Sequence, residues 1–201
     1  LTSSYESMSG ASPWYALAPF DGSKSIVMSG ATIHEQRRDY NFSLRRYLDN
    51  GNYALSIGTS KEDDYESWNG GFDLQRHFNN DLTTLSGGVS FSSDDINPTD
   101  ASLFNRVTDE SKRTSSAFFS VSQIIDQYSV FQSSLNLTHH SGFLTDPYKL
   151  NDARPDSRIQ TALSNAYRRF IPSLDAALHL DLRLYDDSFG VNSLTFEASW
   201  Y

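Results

Sequence analysis

The strictest pattern in this chain is a two-residue period. From Leu178 the even positions are Leu178, Leu180, Leu182 and Leu184, and the odd ones are His179, Asp181, Arg183 and Tyr185. Successive side chains of a β-strand point to opposite faces, so this stretch is a strand with one apolar and one polar face. A soluble antiparallel sheet can carry the same pattern. Here it recurs along most of the 201 residues, between connections that are alternately short and long. That is the layout of a transmembrane β-barrel.

Taken in order, Leu1 to Ser23 is weakly patterned and reads as loop and turn. A first strand is expected over Ser25 to Glu35, followed by a charged corner from Glu35 to Asp39. Tyr40, Phe42 and Leu44 then alternate with Asn41, Ser43 and Arg45. Asn50-Gly51 marks a hairpin, because an Asn-Gly pair between two alternating runs favours a tight turn. Tyr53, Leu55 and Ile57 return opposite Ala54, Ser56 and Gly58, before a polar loop at Lys61 to Glu66. Phe72 and Leu74, the turn Asn79 to Asp81, and Leu85, Val89 and Phe91 form a second hairpin. A long loop is expected over about Ser93 to Arg113. Ala117, Phe119 and Val121 lead to a turn near Asp126, then to Phe131, Leu135 and Leu137. A second long loop runs from His140 to about Asp156. Ile159, Leu163 and Tyr167 precede a turn at Pro172, and proline suits a turn better than a central strand. The leucine strand follows over Leu174 to Tyr185, with a loop at Asp186 to Gly190. Leu194, Phe196, Ala198 and Trp200 share the apolar face of the last strand. The sum is about ten strands in one all-β domain spanning residues 1–201.

Hydrophobic residues are 38% of the chain, which fits a barrel with a thin apolar outer band and a wet interior. No apolar run approaches the length of a membrane-crossing helix. There is no cysteine, so no disulfide ties the fold. No signal peptide is visible, so residue 1 is expected to be a mature or internal start. A net charge of -9 argues against non-specific nucleic-acid binding. More than half of the 25 acidic residues fall in the longer loops, whereas Arg45, Arg46, Arg76, Arg168 and Arg169 sit beside the short turns. Aromatics gather near strand ends, among them Tyr40, Tyr47, Tyr53, Trp68, Phe78, Phe170 and Trp200, as interfacial girdles do.

Several segments resemble landmarks of one group. They are Ser9 to Tyr15 (SGASPWY), Met28 to Ile33 (MSGATI), Asp94 to Asp100 (DDINPTD) and Ser141 to Lys149 (SGFLTDPYK). Arg154 to Arg158 (RPDSR) and Leu174 to Asp181 (LDAALHLD) belong with them. The group is the bacterial family catalogued as domain of unknown function 3570, and the resemblance spans nearly the whole chain. It implies an outer-membrane barrel of Gram-negative bacteria and no established activity. It also implies longer members with a signal peptide and further strands. Ten strands is then a floor, with about twelve to fourteen expected in a closed, even-numbered barrel. Family genes near a flavin transferase and small lipoproteins imply an envelope electron-transfer or assembly setting.

The polar face of the leucine strand offers His179, Asp181 and Arg183, and a hairpin around Asp186 to Gly190 would bring Glu197 near His179. A histidine with two carboxylates can do acid-base work or hold a metal. The plainer alternative is a hydrogen-bonded network that braces the lumen. Arg45 and Arg168 are read as basic residues of the periplasmic rim. Asp63, Asp64, Asp94 and Asp95 are weak divalent-ion candidates, because oxygen-rich loops bind calcium but no glycine-centred calcium loop is present. His139, His140 and Ser141 invite comparison with a Ser-His hydrolase, although adjacent residues of a strand face opposite ways. Asp146, Lys149, Arg154 and Asp156 are expected to pin their own loop, with Pro147 and Pro155 stiffening it.

Three functions follow. The first is a non-catalytic structural or docking component of an envelope complex in the bacterial outer membrane. Its contacts would be outer-membrane lipid and lipopolysaccharide, together with an envelope lipoprotein or electron-transfer partner. The second is a porin-like channel for small solutes, and the third an outer-membrane hydrolase. No cofactor and no nucleic acid is expected.

Overall fold

A computed structural model describes residues 2–8, 14–17, 25–28, 35–99, 101–149 and 152–201. The chain opens with β1 (Thr2–Met8), β2 (Trp14–Leu17), β3 (Ser25–Met28), β4 (Glu35–Leu48) and β5 (Gly51–Lys61). Then come β6 (Tyr65–Phe78), β7 (Thr83–Ile96), a single helical turn α1 (Ala101–Phe104) and β8 (Glu110–Asp126). β9 (Ser129–Gly142), β10 (Ser157–Ile171), β11 (Ala176–Asp187) and β12 (Asn192–Trp200) complete it. One ten-stranded sheet runs β1-β4-β5-β6-β7-β8-β9-β10-β11-β12, and β2 pairs only with β3. Every pairing is antiparallel, so apart from the β1–β4 step the sheet is up-and-down. Among the described residues no helix is long and apolar enough to cross a membrane, which says nothing of crossing by strands.

The sheet has the expected number of strands, but its first member differs. β1 lies in the segment read as loop, and it pairs Thr2 to Met8 with Asn41 to Glu35. Its sequence TSSYESM carries no apolar alternation to announce it. The strand expected over Ser25 to Glu35 is present only as β3, outside the main sheet, and residues 29–34 lie outside the described residues. The charged corner at Glu35 to Asp39 is instead the start of β4. The long loops are likewise shorter than expected, because β7 continues to Ile96, β8 begins at Glu110 and β9 continues to Gly142. The cause is common to all of these. Apolar alternation marks only the part of a strand that meets an apolar medium, while backbone pairing runs on into polar sequence.

Strands of about 14 residues rise about 45 Å from one end of the sheet to the other. Four connections at one end are tight, at Asp49-Asn50, Asn79 to Leu82, Gln127-Tyr128 and the 3-10 turn Pro172–Leu174. Asn79, Asn80 and Asp81 hold left-handed backbone, with φ of 52, 53 and 68°. Asn and Asp enter that region more cheaply than other side chains do. The opposite end carries the acidic connections, including the loops 97–109 and 143–156.

The two faces differ throughout. Phe119, Leu135, Leu163, Leu184 and Leu194 lie opposite one another in an apolar row across β8 to β12. Leu44, Leu55, Phe72 and Val89 continue the same face over β4 to β7. Nothing in the described chain covers it: Leu55 is 53% exposed, Phe91 62% and Phe196 65%. The only buried hydrophobic residues among those described are Ala54 and Ala176, so there is no conventional core.

Candidate functional site: the polar face of the sheet

On the opposite face the polar side chains are laced together along the end that carries the long loops. Arg37 Nε donates to Ser60 Oγ at 3.0 Å. Ser67 Oγ donates to Asp94 at 2.6 Å, and Lys112 Nζ lies 3.2 Å from the same carboxylate. Further along, Thr114 Oγ1 is 3.0 Å from His140 Nδ1, and His140 Nε2 is 2.9 Å from Gln160 Oε1. Gln160 Nε2 donates to the Tyr185 hydroxyl at 2.8 Å, which donates to Asp187 at 2.8 Å. Arg158 also pairs with Asp187 through Nε at 3.1 Å, and the backbone N–H groups of Phe189 and Val191 reach its other oxygen. Antiparallel register creates this belt, since Asp94 stands opposite Lys112, Thr114 opposite His140, and Gln160 opposite Asp187.

The order hydroxyl, imidazole, amide in Thr114-His140-Gln160 superficially matches a hydrolytic triad. Gln160 presents its carbonyl oxygen to the ring, because its amide nitrogen is engaged by Tyr185, so His140 Nε2 is the donor in that pair. A neutral amide orients an imidazole but offers it no counter-charge, unlike the Asp of a Ser-His-Asp triad. The arrangement orients the ring between Thr114 and Gln160. His139 faces the other way, with Nε2 3.1 Å from Ser157 Oγ, so the two adjacent histidines serve different faces.

Asp94 is the buried centre of the belt, at 2% exposure. Asp94→Ala would strand the Lys112 ammonium and the Ser67 hydroxyl. Lys112 keeps some access to water, so the expected loss is about 2 kcal/mol, below the cost of breaking a fully buried pair. Urea unfolding checks it, with Asp94→Asn expected to lose less because it keeps an acceptor for Ser67.

The leucine-strand residues are brought together differently from expectation. Register sets His179 opposite Ser199 and Asp181 opposite Glu197, so Glu197 is displaced by one cross-strand pair. The hairpin pairs Asp186 with Asn192, so its turn is centred one residue later than expected and the register shifts by two. Glu197 accepts from Ser199 Oγ at 3.1 Å, and the His179 ring packs on Tyr201 with centroids 4.8 Å apart. Arg168, read as a rim residue, stands opposite His179 and donates to Asp181 at 2.7 Å. The Arg183 guanidinium lies over Tyr185 at 5.4 Å. Arg45 donates to Asn52 at 2.9 Å, and Asn52 to Gln75 at 2.7 Å, a second tie near the short turns.

Three of the four acidic candidates gather and the fourth stands apart. Asp94 belongs to the polar face, while Asp63, Asp64 and Asp95 line an acidic hollow of about 470 Å³ with Glu66, Asp109 and Glu110. Among the described residues no group of three His, Asp or Glu could hold a metal ion. Asp64 instead accepts a short hydrogen bond from the Tyr148 hydroxyl, which joins the loop 143–156 to the β5–β6 turn. The Arg106 guanidinium stacks on Phe104 and Tyr148, at 4.5 and 4.7 Å, and donates to Thr99 O at 2.7 Å. Lys149 pairs with Asp146 and Arg154 with Asp152, both at 3.1 Å, so the loop is pinned largely by the expected residues, with Asp152 as its hub.

Burial, and then the Asp64 carboxylate, hold the Tyr148 phenol above its ordinary pKa of 10. An open loop ionises near 10, so the tie is at full strength below that pH and weakens as pH rises above it. A wild-type minus Tyr148→Phe difference in phenolate absorbance should have its midpoint above 10. At neutral pH the Tyr148→Phe loop loses about 1–2 kcal/mol, and trypsin should cut at Arg106 or Lys149 roughly 5–30 times faster.

Between the laced ends lies a looser band. A cavity of about 370 Å³ is lined by Ser56, Asn69, Asp73, Ser90 and Asn136 around the Phe118 ring. Gly88 gives that ring its place, since a side chain there would meet Phe118 and the Asp73 carboxylate. Among the described residues, Ser56, Asn69, Asp73 and Ser90 make no side-chain hydrogen bond. Thr114, Gln160, Tyr185 and Asp187 were not separable from other polar residues in the sequence, because only register assembles them.

A family model described as "Protein of unknown function (DUF3570)" matches residues 2–201, and the chain belongs to that family. No curated protein and no solved structure matches it.

Proposed function

We propose that this member of the DUF3570 family forms the wall of an outer-membrane β-barrel and serves there as a structural or docking component of an envelope complex. The observation that carries the reading is the continuous uncovered apolar face backing a laced polar one. Each outward Leu, Ile or Phe moved from water into hydrocarbon gains about 1.5–3 kcal/mol, so a face of this extent is unsuited to water. Ten strands with tight turns at one end and acidic loops at the other are the proportions of such a wall. The pinned loops at the acidic end supply the docking surface for a lipoprotein or electron-transfer partner. Lipid and lipopolysaccharide would surround the apolar band.

The looser central band favours a second reading, a pore for small solutes, because unpaired hydroxyl, amide and carboxylate groups suit a wet passage. The test uses the full-length protein in a Gram-negative host. Recovery in the outer-membrane fraction, with a gel mobility that changes on boiling, is the expected result. Recovery as a soluble protein sinks the membrane reading. In planar bilayers a silent, folded protein supports docking, and stable conductance steps replace it with the pore.

A further inference from the structure

The outward face is not uniformly ridged. Toward the short-turn end it is interrupted by a furrow of about 550 Å³. Its floor is Gly87, which register places between Leu74 on β6 and Phe119 on β8. Every other member of that cross-strand row carries a side chain, so the missing one leaves a trough. Phe72, Phe78, Leu85 and Val89 wall it. Its volume falls within the range of about 300–1,000 Å³ usual for small-molecule sites.

One charged residue borders this apolar trough. Arg76 lies between Leu74 and Phe78 on the outward side of β6 and is exposed. Its cross-strand neighbours are Gly51 and Leu85, and neither offers an anion. Among the described residues Arg76 makes no ion pair and no side-chain hydrogen bond. Near the acidic end, by contrast, Lys61, Lys112 and Arg158 meet carboxylates. An unpaired guanidinium at a hydrocarbon-facing furrow calls for an anion that brings its own apolar tail. The planar fork of arginine matches a phosphate oxygen pair.

We propose that this furrow is a site for an anionic glycerophospholipid. One acyl chain lies along Gly87 between Phe72 and Phe119, and the phosphodiester rests on Arg76. The inference builds on the bilayer reading above and adds a defined lipid class at a defined place. Apolar shape selects the chain, and Arg76 selects the charge. Loss of Arg76 should therefore remove the preference for anionic headgroups, while filling the trough should remove retention of either lipid.

The experiment uses the full-length protein in detergent, titrated with phosphatidylglycerol or phosphatidylcholine of identical chains, with retained lipid counted by native mass spectrometry. Wild type should hold phosphatidylglycerol about fivefold more tightly, the increment of one arginine near an anionic headgroup. Arg76→Gln should bind the two lipids equally, and Val89→Phe, which narrows the trough from its wall, should retain neither. Equal retention by folded wild type, or an unchanged preference in Arg76→Gln, overturns the proposal alone. A protein that shows no heat-modifiable mobility in either lipid overturns the bilayer reading and the site with it.

Discussion

Val89→Arg is expected to lower insertion of the chain into lipid vesicles sharply, and Ser90→Arg, one residue on, to leave insertion intact. Both residues sit at the middle of the 14-residue β7, so both lie near the midplane of any bilayer the sheet spans. They differ in face. Val89 points to the apolar side between Phe72 and Ala117, whereas Ser90 points to the polar side between Gly71 and Ser116. An arginine on the lipid face at the midplane of such a barrel costs about 2–4 kcal/mol, which lowers an insertion equilibrium by roughly 30- to 1,000-fold. An arginine on the polar face meets unpaired groups such as Asp73, and costs little. Adding Leu135→Arg, on the same apolar side two strands away, should make the defect complete because the sites are independent. Refolding from urea into vesicles, scored by boiling-sensitive gel mobility, measures all three. Equal behaviour of Val89→Arg and Ser90→Arg would falsify the assignment of the apolar face to lipid.

The division into two faces is legible in the sequence wherever the strand meets an apolar medium. Leu178 to Leu184 declare their facing without any structure, and so do Tyr40 to Leu44 and Tyr53 to Ile57. Strand ends are not legible in this way, because the polar extensions at Glu35 to Asp39 and Lys112 to Ser116 pair through backbone that any residue supplies. β1 is hidden for the same reason. The site is less legible than the fold. His179 and Asp181 lie on the polar face, yet their partners depend on the position of a turn that alternation does not fix. A two-residue change of register keeps every facing and changes every neighbour. Thus Glu197 moves to Asp181, Arg168 joins the cluster from β10, and the belt through Thr114, His140 and Gln160 has no sequence signature at all.

Gly51→Val should abolish folding, and the reason is not the one its sequence context offers. Asn-Gly signals a tight turn with both residues in left-handed backbone. Here the two turn residues are Asp49 and Asn50, and Gly51 already opens β5, paired with Leu48 on one side and Arg76 on the other. Its φ is +147°, outside the ordinary strand region. A Cβ at this position would stand 2.0 Å from Gln75 O and 3.0 Å from Arg76 Cα. Both are backbone atoms, so no side chain can swing away, and β6 would have to leave β5 at the start of their ladder. Strain of this kind costs about 1–3 kcal/mol before the lost pairing is counted. Gly190 is the control. It also has positive φ, at +85°, but a Cβ there meets nothing within 4 Å. Gly190→Ala should therefore cost only the backbone preference, about 1–2 kcal/mol, and still fold. If both variants fold equally well in urea titrations, the close approach of β5 to β6 is not what the glycine serves. If Gly51→Val alone fails, the hairpin that sets Arg76 against the apolar furrow depends on one absent side chain.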